Sequence, residues 1–174
     1  GRDTYTYWFV NDFRIDRGGN GTHAWLNLRG VNYSCDIYLN GRKVNPKTHY
    51  GMFLRQSYDI TGFVSSDGAN RLAIIVHPPD PVGIANGGQG GDGTIAHGVA
   101  NQFVAGWDWI QPVHDRNTGI WDQVTIEQTQ GVRLSNPFVI TPVVGARMPD
   151  GPQAPVVLHP RVEVRGGEFL DGRL

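Results

Sequence analysis

The sequence lacks most of the features that assign a chemistry at a glance. It holds a single cysteine, Cys35, so no disulfide can form within the chain. Cys35 lies in the β-like run SCDIYLN and reads as a structural thiol, since nothing nearby in sequence marks a basic partner for a nucleophile. No apolar stretch reaches roughly 18 residues, which argues against a membrane-spanning helix, and the first residues carry no signal-peptide pattern. Charged residues make up 18% of the chain, the net charge is −1, and the basic residues never form a run of four. That balance gives no electrostatic footprint for nucleic acid or for an anionic membrane, and neither is expected as a partner. A helical stripe longer than two turns is missing as well. The six histidines (His23, His49, His77, His97, His114, His159) show no H-x-x-x-H spacing, and the aspartates form no calcium-loop ladder. No metal and no cofactor are therefore expected. There is no G-x-S-x-G and no Cys–His signature, which leaves ester or peptide hydrolysis without support.

Glycine and proline are plentiful, at 24 and 11 residues, and short β-like runs recur between them. Thr22–Arg29 alternates Ala24, Leu26 and Leu28 against Trp25, Asn27 and Arg29. Ser34–Leu39 runs into Asn40-Gly41, a strong hairpin signal. Tyr5–Val10 and a segment within Tyr50–Ile60 read as further strands, and Arg71–His77 (RLAIIVH) as a central one, apolar on both faces. Gly119–Gln128 alternates again, which makes Trp121 a strand and core residue. The expected fold is all-β, a β-sandwich. Residues 78–102 break the pattern with a glycine-rich stretch. Gly88 to Gly93 (GQGGDG) satisfies G-x-G-x-x-G, but no strand precedes it directly and no good helix follows, so a nucleotide site is rejected. A boundary falls at residues 128–132, and Val132–Val144 and Val156–Val164 read as the opening strands of a second unit. Both ends are abrupt, and the chain reads as a segment of something larger.

Residues 103–124, FVAGWDWIQPVHDRNTGIWDQV, are the most informative stretch. Trp107, Trp109 and Trp121 stand among Asp108, Asp115, Asp122, Arg116 and Asn117. Aromatic faces pack on the C–H faces of sugar rings, while carboxylates, amides and guanidinium groups bond hydroxyls in fixed geometry, so a carbohydrate is the expected ligand. A glycosidase needs two carboxyl groups about 5–5.5 Å apart if retaining. Asp108 and Asp115 are separated by a proline and nothing fixes them that close, so no catalytic residue is expected in this chain.

GWDW followed by DRNTGIWD, together with YLNGRKV, FLRQSYDIT and IIVHPPD, resembles the N-terminal sugar-binding jelly-roll domain of family 2 glycoside hydrolases. Within the family the strings are most similar to the branch acting on β-mannosides of N-glycans. The resemblance spans about residues 4–128. It implies a galactose-binding-like jelly roll over residues 1–130, lacking its first strands, and the start of an immunoglobulin-like sandwich over 131–174. It implies a retaining hydrolase whose two catalytic Glu residues sit on a (β/α)8 barrel that is not present here, so the remaining domains or chains of that hydrolase are expected partners. It also implies that Asp108 bonds hydroxyls of the terminal sugar, with Trp107 and Trp109 shaping the pocket wall. Asp115, Arg116 and Asn117 match the family's D-R-N string and are assigned first to holding the loop, second to touching substrate. A stand-alone carbohydrate-binding module, a purely structural domain, and the corresponding domain of a β-mannosidase or exo-β-glucosaminidase are the rival readings.

Overall fold

The computed structural model describes residues 5–78, 113–142, 151 and 156–166. Trp107, Asp108, Trp109 and the glycine-rich stretch lie outside the described residues. The chain divides into two units, residues 1–128 and 129–174.

The first unit contains β1 (Tyr7–Arg14), β2 (Thr22–Leu28), β3 (Val31–Asn32), β4 (Ser34–Leu39), β5 (Arg42–Lys43), β6 (His49–Tyr50), β7 (Gln56–Asp59), β8 (Ala69–His77), β9 (Gly119–Ile120) and the start of β10 (Val124–Gln130). One sheet runs β1-β8-β4-β5 with β6 also on β4, a second runs β10-β2-β7, and β3 pairs with β9. This is the expected all-β sandwich. Its core follows from period-2 patterning: Ala24, Leu26 and Leu28 of β2, Cys35, Ile37 and Leu39 of β4, and Leu72, Ile74 and Val76 of β8 are all buried. Burying each large aliphatic side chain contributes about 1.5–3 kcal/mol, and Leu26, Leu28, Ile37, Leu39 and Ile74 are nearly or wholly inaccessible. As RLAIIVH suggested, β8 is central, with β1 on one side and β4 on the other.

Asn40 and Gly41 close the β4–β5 hairpin with φ of 53° and 77°, the doubly left-handed turn that Asn-Gly favours. Asn40 also fastens this turn to the rest of the unit, donating through Nδ2 to Phe63 O and Asn70 Oδ1, both at 2.9 Å. Fully buried Asn45 takes over part of the ladder beside β5: its Oδ1 accepts from Ile37 N at 2.8 Å, and its Nδ2 donates to Cys35 O at 3.0 Å.

Among the described residues one side of this sandwich is open. Strands β1 and β10 each end their sheet among the described residues. Between them lies a groove of about 530 Å³, lined by Phe9, Phe13, Ile15, Ile120, Val124 and Ile126.

In the second unit β11 (Val132–Ile140) pairs antiparallel with β12 (His159–Gly166), and the register slips between Ser135 and Phe138. Asn136, with φ of 51°, lies within that slip, as a bulge requires.

Candidate functional site

Chemistry gathers at the end of the first unit where β8 runs out at His77. Register places Tyr7 opposite Val76 and Ser34 opposite both His77 and Tyr50, so these residues share one end of the larger sheet. The chain re-enters the described structure at the same end, through a short 3-10 turn at His114–Asn117 that leads into β9.

That turn is built by Asp115. Asp115 and Asn117 have φ of 67° and 55°, a conformation that Asp and Asn tolerate better than other non-glycine residues. The Asp115 carbonyl accepts from Thr118 N at 2.8 Å and from Thr118 Oγ1 at 2.6 Å. Its carboxylate is divided: Oδ1 accepts from Asn117 N at 3.0 Å, and Oδ2 accepts from the Tyr7 hydroxyl at 3.3 Å. Asn32 Nδ2, buried on β3, donates to Asn117 O at 3.0 Å and anchors the far side. Asp115 is therefore a loop-holding residue, the first of its two expected assignments. Asn117 keeps an exposed side chain. For Arg116 only the backbone of the turn is described, and Trp107, Asp108 and Trp109 lie outside the described residues. The structure thus brings together two of the six expected binding residues, Asp115 and Asn117.

Trp121 corrects the sequence reading. It lies between β9 and β10 rather than in a strand, and it is 48% exposed. The reason is a change of partner: β9 pairs with β3, whereas β10 pairs with β2. At the junction Gly30 O accepts from both Trp121 N (3.2 Å) and Asp122 N (3.5 Å), which interrupts the alternation and turns the indole outward. The indole N–H donates to Met52 O at 3.0 Å, and the Phe53 ring stands at 65° to it with centroids 5.9 Å apart. Beside it, Asp122 Oδ2 lies 3.7 Å from Arg29 Nε, and Arg29 Nη1 donates to Gln123 Oε1 at 3.3 Å.

A second polar cluster occupies the outer face of the larger sheet. Asp36, on β4, has a side chain only 17% exposed; its Oδ1 accepts from Lys43 Nζ at 2.8 Å and Thr48 Oγ1 at 2.9 Å, and its Oδ2 lies 3.0 Å from His77 Nε2. Burial raises the carboxyl pKa, but the hydrogen bonds from Lys43, His77 and Thr48 outweigh it and hold the group below its ordinary value. Both oxygens are occupied within the protein, so this cluster clamps β4, β5 and β8 together and offers no free base. The sequence held no signal for it, because Asp36, Lys43 and Thr48 meet only once the β4–β5 hairpin and the segment after it fold, and His77 arrives from 41 residues away. Among the described residues no group of three or more His, Cys, Asp or Glu could hold a metal ion. The chain has only three glutamates, Glu127, Glu163 and Glu168. Glu127 is engaged by Asn27 at 3.4 Å.

The family profile for "Glycosyl hydrolase 2 galactose-binding domain-like" matches residues 2–122. The chain belongs to that family of glycoside hydrolase domains. It is 46% identical over 144 residues, 81% of its length, to a mannosylglycoprotein endo-beta-mannosidase of Lilium longiflorum. It is 34% identical over 145 residues to an exo-beta-D-glucosaminidase of Arthroderma benhamiae, with 82% of the chain covered. The fold is similar to that of a beta-D-mannosidase from Dictyoglomus thermophilum, with a TM-score of 0.65 at 23% identity, covering 82% of this chain and 18% of that one. The chain spans 15% of the lily relative's length and 14% of the Arthroderma relative's.

Proposed function

We propose that this chain is the non-catalytic, substrate-gripping domain of a retaining β-mannoside hydrolase acting on the Manβ1-4GlcNAc linkage of N-glycans. The observation that carries the reading is the 46% identity to the lily endo-beta-mannosidase over 81% of the chain. In this reading the reacting Glu pair belongs to other domains of the hydrolase. This domain's binding energy orients the sugar for them, a remote contribution that becomes catalysis when it is realised in the transition state. Asp108 grips neighbouring hydroxyls of the terminal sugar, with Trp107 and Trp109 as walls. A carboxylate spanning two hydroxyls rejects an epimer, because the wrong isomer leaves a buried acceptor unpaired. Asp115 and Asn117 hold the adjoining turn, and in this reading Arg116 serves first that turn and second ligand contact. The two strands of the second unit are the opening of an immunoglobulin-like sandwich. A carbohydrate and the rest of the hydrolase are the partners.

The test is Asp108→Ala in the hydrolase containing this domain, assayed on Manβ1-4GlcNAc glycans. The expected loss in kcat/KM corresponds to about 2–4 kcal/mol, the cost of removing a buried charged hydrogen-bond partner. Unchanged kinetics in a folded variant removes Asp108 from the site. The similarity to an exo-beta-D-glucosaminidase supports a second substrate class, and cleavage of glucosaminides in preference to mannosides by the same hydrolase would select it.

A further inference from the structure

We propose that Trp121, walled by Phe53, is a second sugar platform that stacks on a pyranose ring of the glycan beyond the one held by GWDW. The inference rests on the sugar-gripping function proposed above and adds to it a subsite that the family strings do not assign.

The geometry of the indole carries it. A Cβ on Gly30 would lie 2.3 Å from Trp121 Cε2, 2.6 Å from Cζ2 and 2.7 Å from Nε1. An approach in the ring plane would pass between Nε1 and Cζ2 and meet those two atoms first. Here Cε2, which is bonded to both, is the nearest, so the ring lies face-on over the Gly30 backbone. One face is spent on the protein and the N–H is spent on Met52 O. The 48% of Trp121 that remains exposed is its outer face and rim, held in one orientation. Phe53 stands beside it, 57% exposed, and strand β6, just before Phe53, ends on Tyr50, 61% exposed and in edge contact with Tyr33.

The polar rim decides what lies on this face. Arg29 precedes Gly30 and Asp122 and Gln123 follow Trp121 in the chain, and the 3.7 Å between Arg29 Nε and Asp122 Oδ2 is too long for a hydrogen bond. Both groups therefore retain capacity for hydroxyls. Aspartate is depleted at the centre of a protein–protein interface, so the incompletely paired Asp122 argues against that occupant. A fixed aromatic face bordered by a carboxylate, a guanidinium and an amide matches instead a sugar, whose C–H face is apolar and whose edge is hydroxylated. The turn held by Asp115 ends only three residues before Trp121, at Thr118, so the platform adjoins the site in the chain.

The experiment follows indole N–H resonances of the 174-residue chain during titration with Manβ1-4GlcNAcβ1-4GlcNAc, identifying the Trp121 signal by its loss in Trp121→Phe. The expected result is a saturable shift of the Trp121 signal. Trp121→Ala should bind the trisaccharide about three- to tenfold more weakly, the worth of one aromatic contact. Trp121→Phe, which keeps a ring, should fall between the two, and thermal melting confirms that each variant is folded. If other resonances move while Trp121 stays still and Trp121→Ala binds as wild type, the platform is overturned and the sugar-gripping function stands; the face then seats another protein segment. If no resonance responds to this trisaccharide or to any β-mannoside or β-glucosaminide, both fall together.

Discussion

Replacing Gly30 with alanine isolates the packing of Trp121 with a single methyl group. Gly30 is not among the residues with left-handed φ, so alanine meets no backbone penalty there, and the glycine is required for space alone. The new Cβ would sit 2.3 Å from Cε2, where carbon–carbon contacts are normally about 3.5 Å or more, so the indole must retreat by roughly 1.2 Å. Overpacking of this kind costs about 1–3 kcal/mol. The retreat also stretches the 3.0 Å bond from Nε1 to Met52 O, worth about 1 kcal/mol. Against this, alanine stiffens the unfolded chain and returns about 0.4–1 kcal/mol. The clash wins, and the net loss should be about 1.5–2.5 kcal/mol, or a fall in Tm on the order of 5–10 °C for a unit of this size. Thermal unfolding followed by circular dichroism measures it directly. The sharper test is a double-mutant cycle: in a Trp121→Ala background the clash partner is gone, and Gly30→Ala should become stabilising by about 0.5 kcal/mol. An equal cost in both backgrounds would refute the geometry, and with it the fixed orientation of the ring.

Asp36→Asn should destabilise the first unit by about 1–2 kcal/mol at neutral pH, since the partly exposed Lys43 and His77 lose a charged acceptor. Because the folded carboxyl sits below its ordinary value, that stability is present above the normal carboxylate range and is lost as pH falls through the depressed value; the two proteins should therefore converge at strongly acidic pH in melting curves. Cys35 is fully buried, and burial, assisted by the Asp36 charge, pushes its thiol pKa up to about 12, so a thiol reagent followed by mass spectrometry should label it only after unfolding. Labelling of the native protein at the rate of a free thiol would contradict the burial.

Much of this architecture can be read from local signals. The alternation of Ala24, Leu26 and Leu28 names the core face of β2, and Asn40-Gly41 names the β4–β5 hairpin, because both features depend on neighbours in the chain. The site is harder to read. GIWDQV alternates like one strand, yet the chain changes its partner from β3 to β2 in the middle of it, and a strand's partner is not written in its own residues. Trp121 consequently reads as core and stands exposed. The Asp36 clamp is invisible for a similar reason, since its second oxygen is met only by His77, brought 41 residues through the chain by the pairing of β4 with β8. Asp115 is intermediate: D-R-N suggested a loop-holding carboxylate, and the Tyr7 hydroxyl that completes it lies 108 residues earlier.

The open groove between β1 and β10 has a practical consequence for handling the chain. Two neighbouring strand borders with an oily slot between them form a template on which a second polypeptide can add a strand. Asp12, tied to Arg71 at 2.7 Å, points from the outer surface of β1 and does nothing to guard the slot itself. A second copy that adds a strand at that seam should make self-association rise with concentration, which size-exclusion chromatography reads directly. A polar substitution at Phe9, which is already partly open to solvent, should lower that association.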